Sequence, residues 1–281
     1  MSRWSRRTEP PERSSPKGYT YTFGILSPAD EYATAMLKTA LALRPAPETV
    51  AILAADDLFS LEVATSARDW AQHHGLKVVY FQKYPVGVAD LSAALTSIKT
   101  RRPDIVLGSG HLQESLLIVK QAQSLGVETK FMGFTVGPTT PDFVTALGPA
   151  AENIFASSQW SPDVKYHGPV FGTAHEYAQL FERRYGLVPD YHAAESSAAG
   201  VVLQLALEKA GSVQPQKVRD ALASLDVTTF YGPVKFSATG LNEAKPMVTV
   251  QVQHGAVVTV WPADIATARA VYPRPSWLSA R

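Results

Sequence analysis

Val50-Ala51-Ile52-Leu53, Val78-Val79-Tyr80-Phe81, Ile105-Val106-Leu107 and Phe131-Met132-Gly133 are short apolar runs that begin about 26 to 28 residues apart. That interval matches a strand-to-strand crossover that carries a helix. Between the runs lie stripes with helical spacing: Val63, Ala67, Trp70 and Ala71; Leu91, Ala94, Leu95 and Ile98; Ile118, Ala122 and Leu125. Gly75 and Gly126 stand where C-terminal caps belong. The pattern predicts a doubly wound α/β unit, a parallel sheet covered on both faces. Ligands of such sheets settle beyond the carboxyl ends of the strands. The loops there are Asp56–Ser60, Gly108–Gln113 and Gly133–Gly137, and a site is expected in them.

Upstream, the alternating stretch Tyr19–Phe23 predicts a strand, and Glu31–Leu43 a helix closed by Pro45 and Pro47. Downstream the texture changes. One helix is predicted on Ala174, Tyr177, Ala178, Phe181 and Tyr185, ending at Gly186. A second lies on Ala194, Ala198, Val201, Val202 and Leu205, ending at Gly211, and a third on Val218, Ala221, Leu222 and Leu225. Strand sequence returns at Thr229–Phe236. After the Thr239–Asn242 turn, Val248, Val250 and Val252 alternate with polar residues, and His254-Gly255 turns the chain into Val257–Val260. Tyr272–Trp277 is expected to strap over the surface. Strand sequence is scarce between Phe155 and Thr229, so the three striped helices are expected to present faces that this chain does not cover.

A chain of 281 residues can bury a large core. Charged residues make up 18% and the net charge is +1, which gives no electrostatic case for nucleic acid or an anionic membrane surface. There is no cysteine, which excludes disulfides, thiolate metal sites and a Cys nucleophile. No apolar run approaches a membrane span, so no membrane insertion is expected. Residues 1–18 hold four Arg, one Lys and three Pro, with no apolar core behind them. They read as a disordered basic leader rather than a signal peptide.

The chemistry-bearing candidates are few. Gly108-Ser109-Gly110-His111-Leu112-Gln113 begins like a dinucleotide fingerprint, but Gln113 replaces the third glycine. A tight turn presenting His111 to a cleft is the better reading. His111 fits a single ligand hydrogen bond better than a catalytic base, because no G-x-S-x-G elbow accompanies it. Asp56 and Asp57 point apart on a loop, and no further ligands recur at metal spacing. They are assigned to the turn and helix start, with Ser60 as a cap. His73 and His74 read as solvated at a helix end and Trp70 as packing. Trp160 reads either as a cleft wall or as a packed hinge residue, and Tyr191 as core or hinge. No catalytic residue, metal site or cofactor is expected.

Several stretches carry a family likeness in their order: Val50–Phe59, Lys83-Tyr84-Pro85, Asp90-Leu91-Ser92, Pro103–Gly110, Lys120-Gln121-Ala122, Phe131-Met132-Gly133, Gly186, Pro189-Asp190-Tyr191, Tyr231–Phe236 and Asn242. The chain resembles the branched-chain amino-acid type of periplasmic substrate-binding protein (type I, leucine-binding-protein-like). The resemblance implies two lobes that close on a small ligand without chemistry. Residues 19–157 with 246–262 then form a complete lobe, the family's second. Residues 158–245 form a partial, mainly helical first lobe, and 263–281 a tail. It implies the solute-binding component of an ABC importer, with permease and ATPase partners and a periplasmic workplace. Its ligand is amino-acid-like, an amide or an organic acid.

The implied ligand residues are Phe59 and Ser60 from the first loop, His111 and Gln113 from the second, Thr135 from the third, and Trp160. Two departures from the family are expected to matter. The secretion signal and about 120 residues of the family's first lobe have no counterpart, which implies a misplaced start or a gene fragment and impaired binding. Thr135 stands where amino-acid binders place a carboxylate, and a hydroxyl cannot supply that charge-assisted bond to an ammonium. The missing signal motivates an alternative, a cytoplasmic ligand sensor of the same fold that regulates a partner protein.

Overall fold

The computed structural model describes residues 20–277. The leader expected at residues 1–18 and the end of the tail lie outside the described residues. Helix α1 (Asp30–Ala42) leads into β1 (Thr49–Ala55), α2 (Leu58–His73), β2 (Lys77–Tyr84), α3 (Ser92–Arg101), β3 (Ile105–Ser109), α4 (Leu112–Leu125), β4 (Phe131–Phe134), α5 (Pro141–Leu147) and β5 (Phe155–Ser158). These strands pair in parallel, and the sheet is completed by β10 (Val248–Gln253) and β11 (Ala256–Trp261), both antiparallel. The order across the sheet is β11-β10-β5-β4-β3-β1-β2.

Strand β1 shows why the apolar runs are unbroken. Val50, Ile52 and Ala54 pack under α1 and α2, whereas Ala51, Leu53 and Ala55 pack under α3 and α4. Both faces are dry, so no polar alternation survives. Asp104, just before β3, fastens the near ends of three strands. Its carboxylate accepts from Glu48 N–H at 2.8 Å and from Thr49 N–H and Oγ1–H at 3.1 Å each, and it pairs with Lys130 at 2.8 Å. Its carbonyl accepts from Phe131 N–H at 3.0 Å.

Between β5 and β10 the chain forms a helical body. It holds β6 (His167–Gly168), β7 (Gly172–Thr173), α6 (Ala174–Tyr185), α7 (Tyr191–Ala210), α8 (Pro215–Ala223), β8 (Asp226–Thr229) and β9 (Gly232–Lys235). Its core is aromatic: Phe230 lies under Tyr177 at 4.0 Å between ring centres, with Trp160 and Phe171 edge-on. Ala156, Val248 and Val250 of the sheet join this core. The stripes expected to lie uncovered are mostly covered: Tyr177, Ala178, Ala194, Ala198, Val201, Val202, Ala221 and Leu225 are buried in this body, and Leu180, Tyr185, Leu187, Val188 and Leu203 are what remains exposed on α6, α7 and the link between them.

Two strand expectations need correction. Thr229–Phe236 is not one strand: Phe230 and Tyr231 occupy a turn at Gly232 (φ 137°), so the run splits between the antiparallel pair β8 and β9. Thr20–Phe23 carries no strand either. Its backbone neighbourhood offers only the single bridge between Gly24 and Leu241, and alternation without a partner strand makes no ladder. The tail does strap the surface, with Trp277 buried and its Nε1–H donating to Val127 O at 2.8 Å.

Candidate functional site

Crossovers leave β1 for β2 and β2 for β3 in opposite senses, so the carboxyl ends of β1 and β3 form the switch point of the sheet. The register Ala54 to Ser109 sets the two following loops side by side. Asp57 ends the first loop as the N-cap of α2. Its Oδ1 accepts from Ser60 N–H at 2.9 Å and its Oδ2 from Ser60 Oγ–H at 2.8 Å. The expected capping role of Ser60 is thereby reversed: the aspartate caps and the serine donates. Ser60 is fully buried, and its carbonyl accepts from Ser109 Oγ–H at 2.8 Å, which locks the β1 and β3 loops together.

His111 caps α4, and its backbone N–H donates to Glu114 Oε2 at 3.3 Å. Its ring is half exposed, with Nε2 3.2 Å from Asp57 Oδ2. The ring lies 6.4 Å from that of Phe59, tilted 30° from parallel, and Phe59 meets Tyr32 edge-on at 5.3 Å. Gln113 is exposed on the first turn of α4. Partial burial works to raise the Asp57 carboxyl, but the Ser60 hydrogen bonds and the His111 ring outweigh it and hold it below the usual range. A carboxylate so depressed stabilises the fold above its unfolded value near 3.9, and that contribution is lost as pH falls. Asp57→Ala is expected to cost about 1–2 kcal/mol at neutral pH and to flatten the acid limb of a pH–stability curve.

Thr135 is placed differently from Phe59 and His111. It is buried, accepting from Gly110 N–H at 3.3 Å and donating to Gly110 O at 3.2 Å, so its hydroxyl braces the β3 loop. Trp160 sits in the core of the helical body. Its Nε1–H donates to Phe230 O at 3.1 Å, and it also lines a cavity of about 430 Å³ with Pro141, Val144, Tyr191, Val250 and Val257. The structure therefore gathers Phe59, Ser60 and His111, leaves Gln113 exposed two residues further along α4, ties Thr135 to the β3 loop, and sets Trp160 against a separate space. Asp57 escaped the sequence reading as the partner of His111. The pairing joins residues 54 positions apart and leaves no local signal, whereas the cap to Ser60 was readable at the helix start.

Among the described residues, no group of three or more His, Asp or Glu side chains is arranged to hold a metal ion. No described helix is long and apolar enough to cross a membrane.

Residues 7–256 match the family described as periplasmic binding protein. The chain is 25% identical over 229 residues to Leu/Ile/Val-binding protein homolog 7 of Brucella abortus (strain 2308), a match covering 76% of this chain. It spans only 55% of that relative's length. Among solved structures, a putative branched-chain amino acid ABC transporter from Silicibacter pomeroyi superposes with a TM-score of 0.78 at 20% identity, covering 92% of this chain and 70% of that one. The leucine-binding protein LivK of Thermotoga maritima MSB8 gives 0.76 at 21% identity, covering 86% and 68%. At these identities the structural likeness concerns the fold.

Proposed function

From the premise that this chain belongs to the periplasmic binding protein family, a family of solute binders rather than enzymes, we propose that it is the solute-binding component of an ABC importer. In this reading residues 19–157 with 246–262 are one lobe and 158–245 belong to the other. A ligand bridging the lobes favours closure by its differential contacts, and the closed form docks on permease and ATPase subunits in the periplasm. The observation that supports the reading is the exposed His111 ring, held 3.2 Å from Asp57 beside Phe59 at the switch point of the sheet. Phe59 supplies apolar contact, and His111 and Gln113 supply hydrogen bonds. Ser60 and Thr135 hold the loops in place, and Trp160, packed in the helical body, lies away from this loop cluster.

Thr135, engaged with Gly110, offers no carboxylate to an ammonium group. The favoured ligand is accordingly an amide, an organic acid or an aromatic acid rather than a free α-amino acid. Because a ligand that binds only the native state raises the unfolding midpoint, thermal-shift screening of these three classes and of amino acids at millimolar concentration tests the proposal. A midpoint raised by an amide or acid, with the rise abolished in His111→Ala, is the expected result. A rise that persists in His111→Ala, or no rise with any class, overturns the site. Micromolar affinity for an α-amino acid overturns the reading of Thr135.

A further inference from the structure

The chain passes between the sheet and the helical body three times: at residues 24–29 into α1, at 159–162 out of β5, and at 243–247 into β10. One buried side chain from each passage meets the others. Ser27 N–H donates to Gln159 Oε1 at 3.0 Å, and Gln159 Nε2 donates back to Ser27 O at 3.3 Å. Ser27 Oγ–H donates to Lys245 O at 2.8 Å. Lys245 Nζ donates to the Gln159 backbone carbonyl and, at 3.1 Å, to Gln159 Oε1. Lys245 is 5% exposed, and its amine lies 4.5 Å from the centre of the Tyr231 ring.

Titratable groups face this knot from several elements, including Tyr166, which borders Gly232 on the same side as the Lys245 stem. Helix α7 contributes Glu195, with Asp190, Tyr191 and His192 at its start; α1 contributes Tyr32, and the β8–β9 turn contributes Tyr231. Glu195 Oε2 and the Tyr231 hydroxyl are buried without a hydrogen-bond partner, so the polar complement around the amine is incomplete. An ammonium held there is short of the solvation that water would give it.

We propose that Lys245 is a proton-operated rivet of the three passages: neutral, it stays dry in the knot and holds the two bodies together, and protonated, it draws in water and lets them part. Burial pulls the Lys245 amine down to about 7, against an opposing pull from Glu195, so its charge changes within the neutral range. A hydrated, parted arrangement holds its proton more tightly than the dry one. Its population must therefore rise as pH falls from the alkaline range of a free amine toward 7, and level off below it.

The inference rests on the two-lobe reading but needs no ligand. Hydrogen exchange of the full chain at pH 6 and pH 8.5, corrected for intrinsic rates, reads the opening directly. The expected result is an opening population at residues 24–28, 159–162 and 243–247 that is on the order of tenfold larger at pH 6. Amides inside β1 and β3 should show no such change. Lys245→Met should abolish the difference, because the titrating group is gone and the volume is kept. Glu195→Gln removes the opposing charge and should move the transition to lower pH, which keeps the test decisive if Lys245→Met folds poorly. Opening that is independent of pH in the unaltered chain overturns the rivet. So does a pH difference that survives Lys245→Met, or a transition that Glu195→Gln leaves in place. None of these outcomes touches the ligand assignment at His111.

Discussion

Replacing Phe131 with alanine is expected to remove about 3–5 kcal/mol of stability, read in denaturant unfolding as a lower midpoint at unchanged slope. Phe131 is fully buried on the α1–α2 face of the sheet, and its ring stacks on that of Phe155 at 4.0 Å and 11°. Neighbours cannot collapse into the space it leaves. Gly133 already brings Met36 so near that a Cβ there would meet its sulfur at 2.7 Å, and the strands on either side are locked in register. The void therefore persists, and the loss exceeds simple transfer of the side chain. A change below about 1 kcal/mol would mean that the Phe131–Phe155 stack is not part of the core.

Asp104→Ala is expected to cost about 3 kcal/mol at neutral pH, because one carboxylate holds two backbone donors, one hydroxyl and one lysine. Burial works to raise this carboxyl, but Lys130, Glu48 N–H and the Thr49 hydroxyl outweigh it and hold it below the usual range. The sign follows: its folded value lies below the unfolded one, so the contribution is complete above about pH 4 and disappears as acid protonates the native carboxylate. Unfolding of the unaltered chain and of Asp104→Ala should accordingly differ most at neutral pH and converge on acidification. Curves that stay parallel down to pH 2 would show that packing at this position, rather than charge, carries the effect.

The sheet was legible because burial on both faces leaves a periodicity that composition cannot hide. Ala51 and Ile52 point to opposite sides and are both apolar, so the β1 run declares itself without any partner. Helix ends were legible where a left-handed residue is required, as at Gly126 (φ 65°) and Gly186 (φ 74°). What sequence could not disclose depends on distant partners. Tyr19–Phe23 alternates like a strand, yet pairing is decided by residues more than 200 positions away at Gly240–Asn242. Nothing in the local sequence marks Lys245, and only the three converging passages reveal that it is enclosed. At the candidate site, loop positions followed from strand ends, but the hydroxyl of Thr135 could have faced either the cleft or the backbone. Its choice was set by Gly110, 25 residues upstream.

That choice closes a short evolutionary path. An acidic side chain at position 135 could accept from Gly110 N–H but could not donate to Gly110 O, and would press its own lone pairs against that carbonyl. Gly110 has no slack for rearrangement, since a Cβ there would meet the Tyr84 hydroxyl at 2.7 Å. On the proposed function, a change toward ammonium-bearing solutes would first require the turn after β3 to be remodelled.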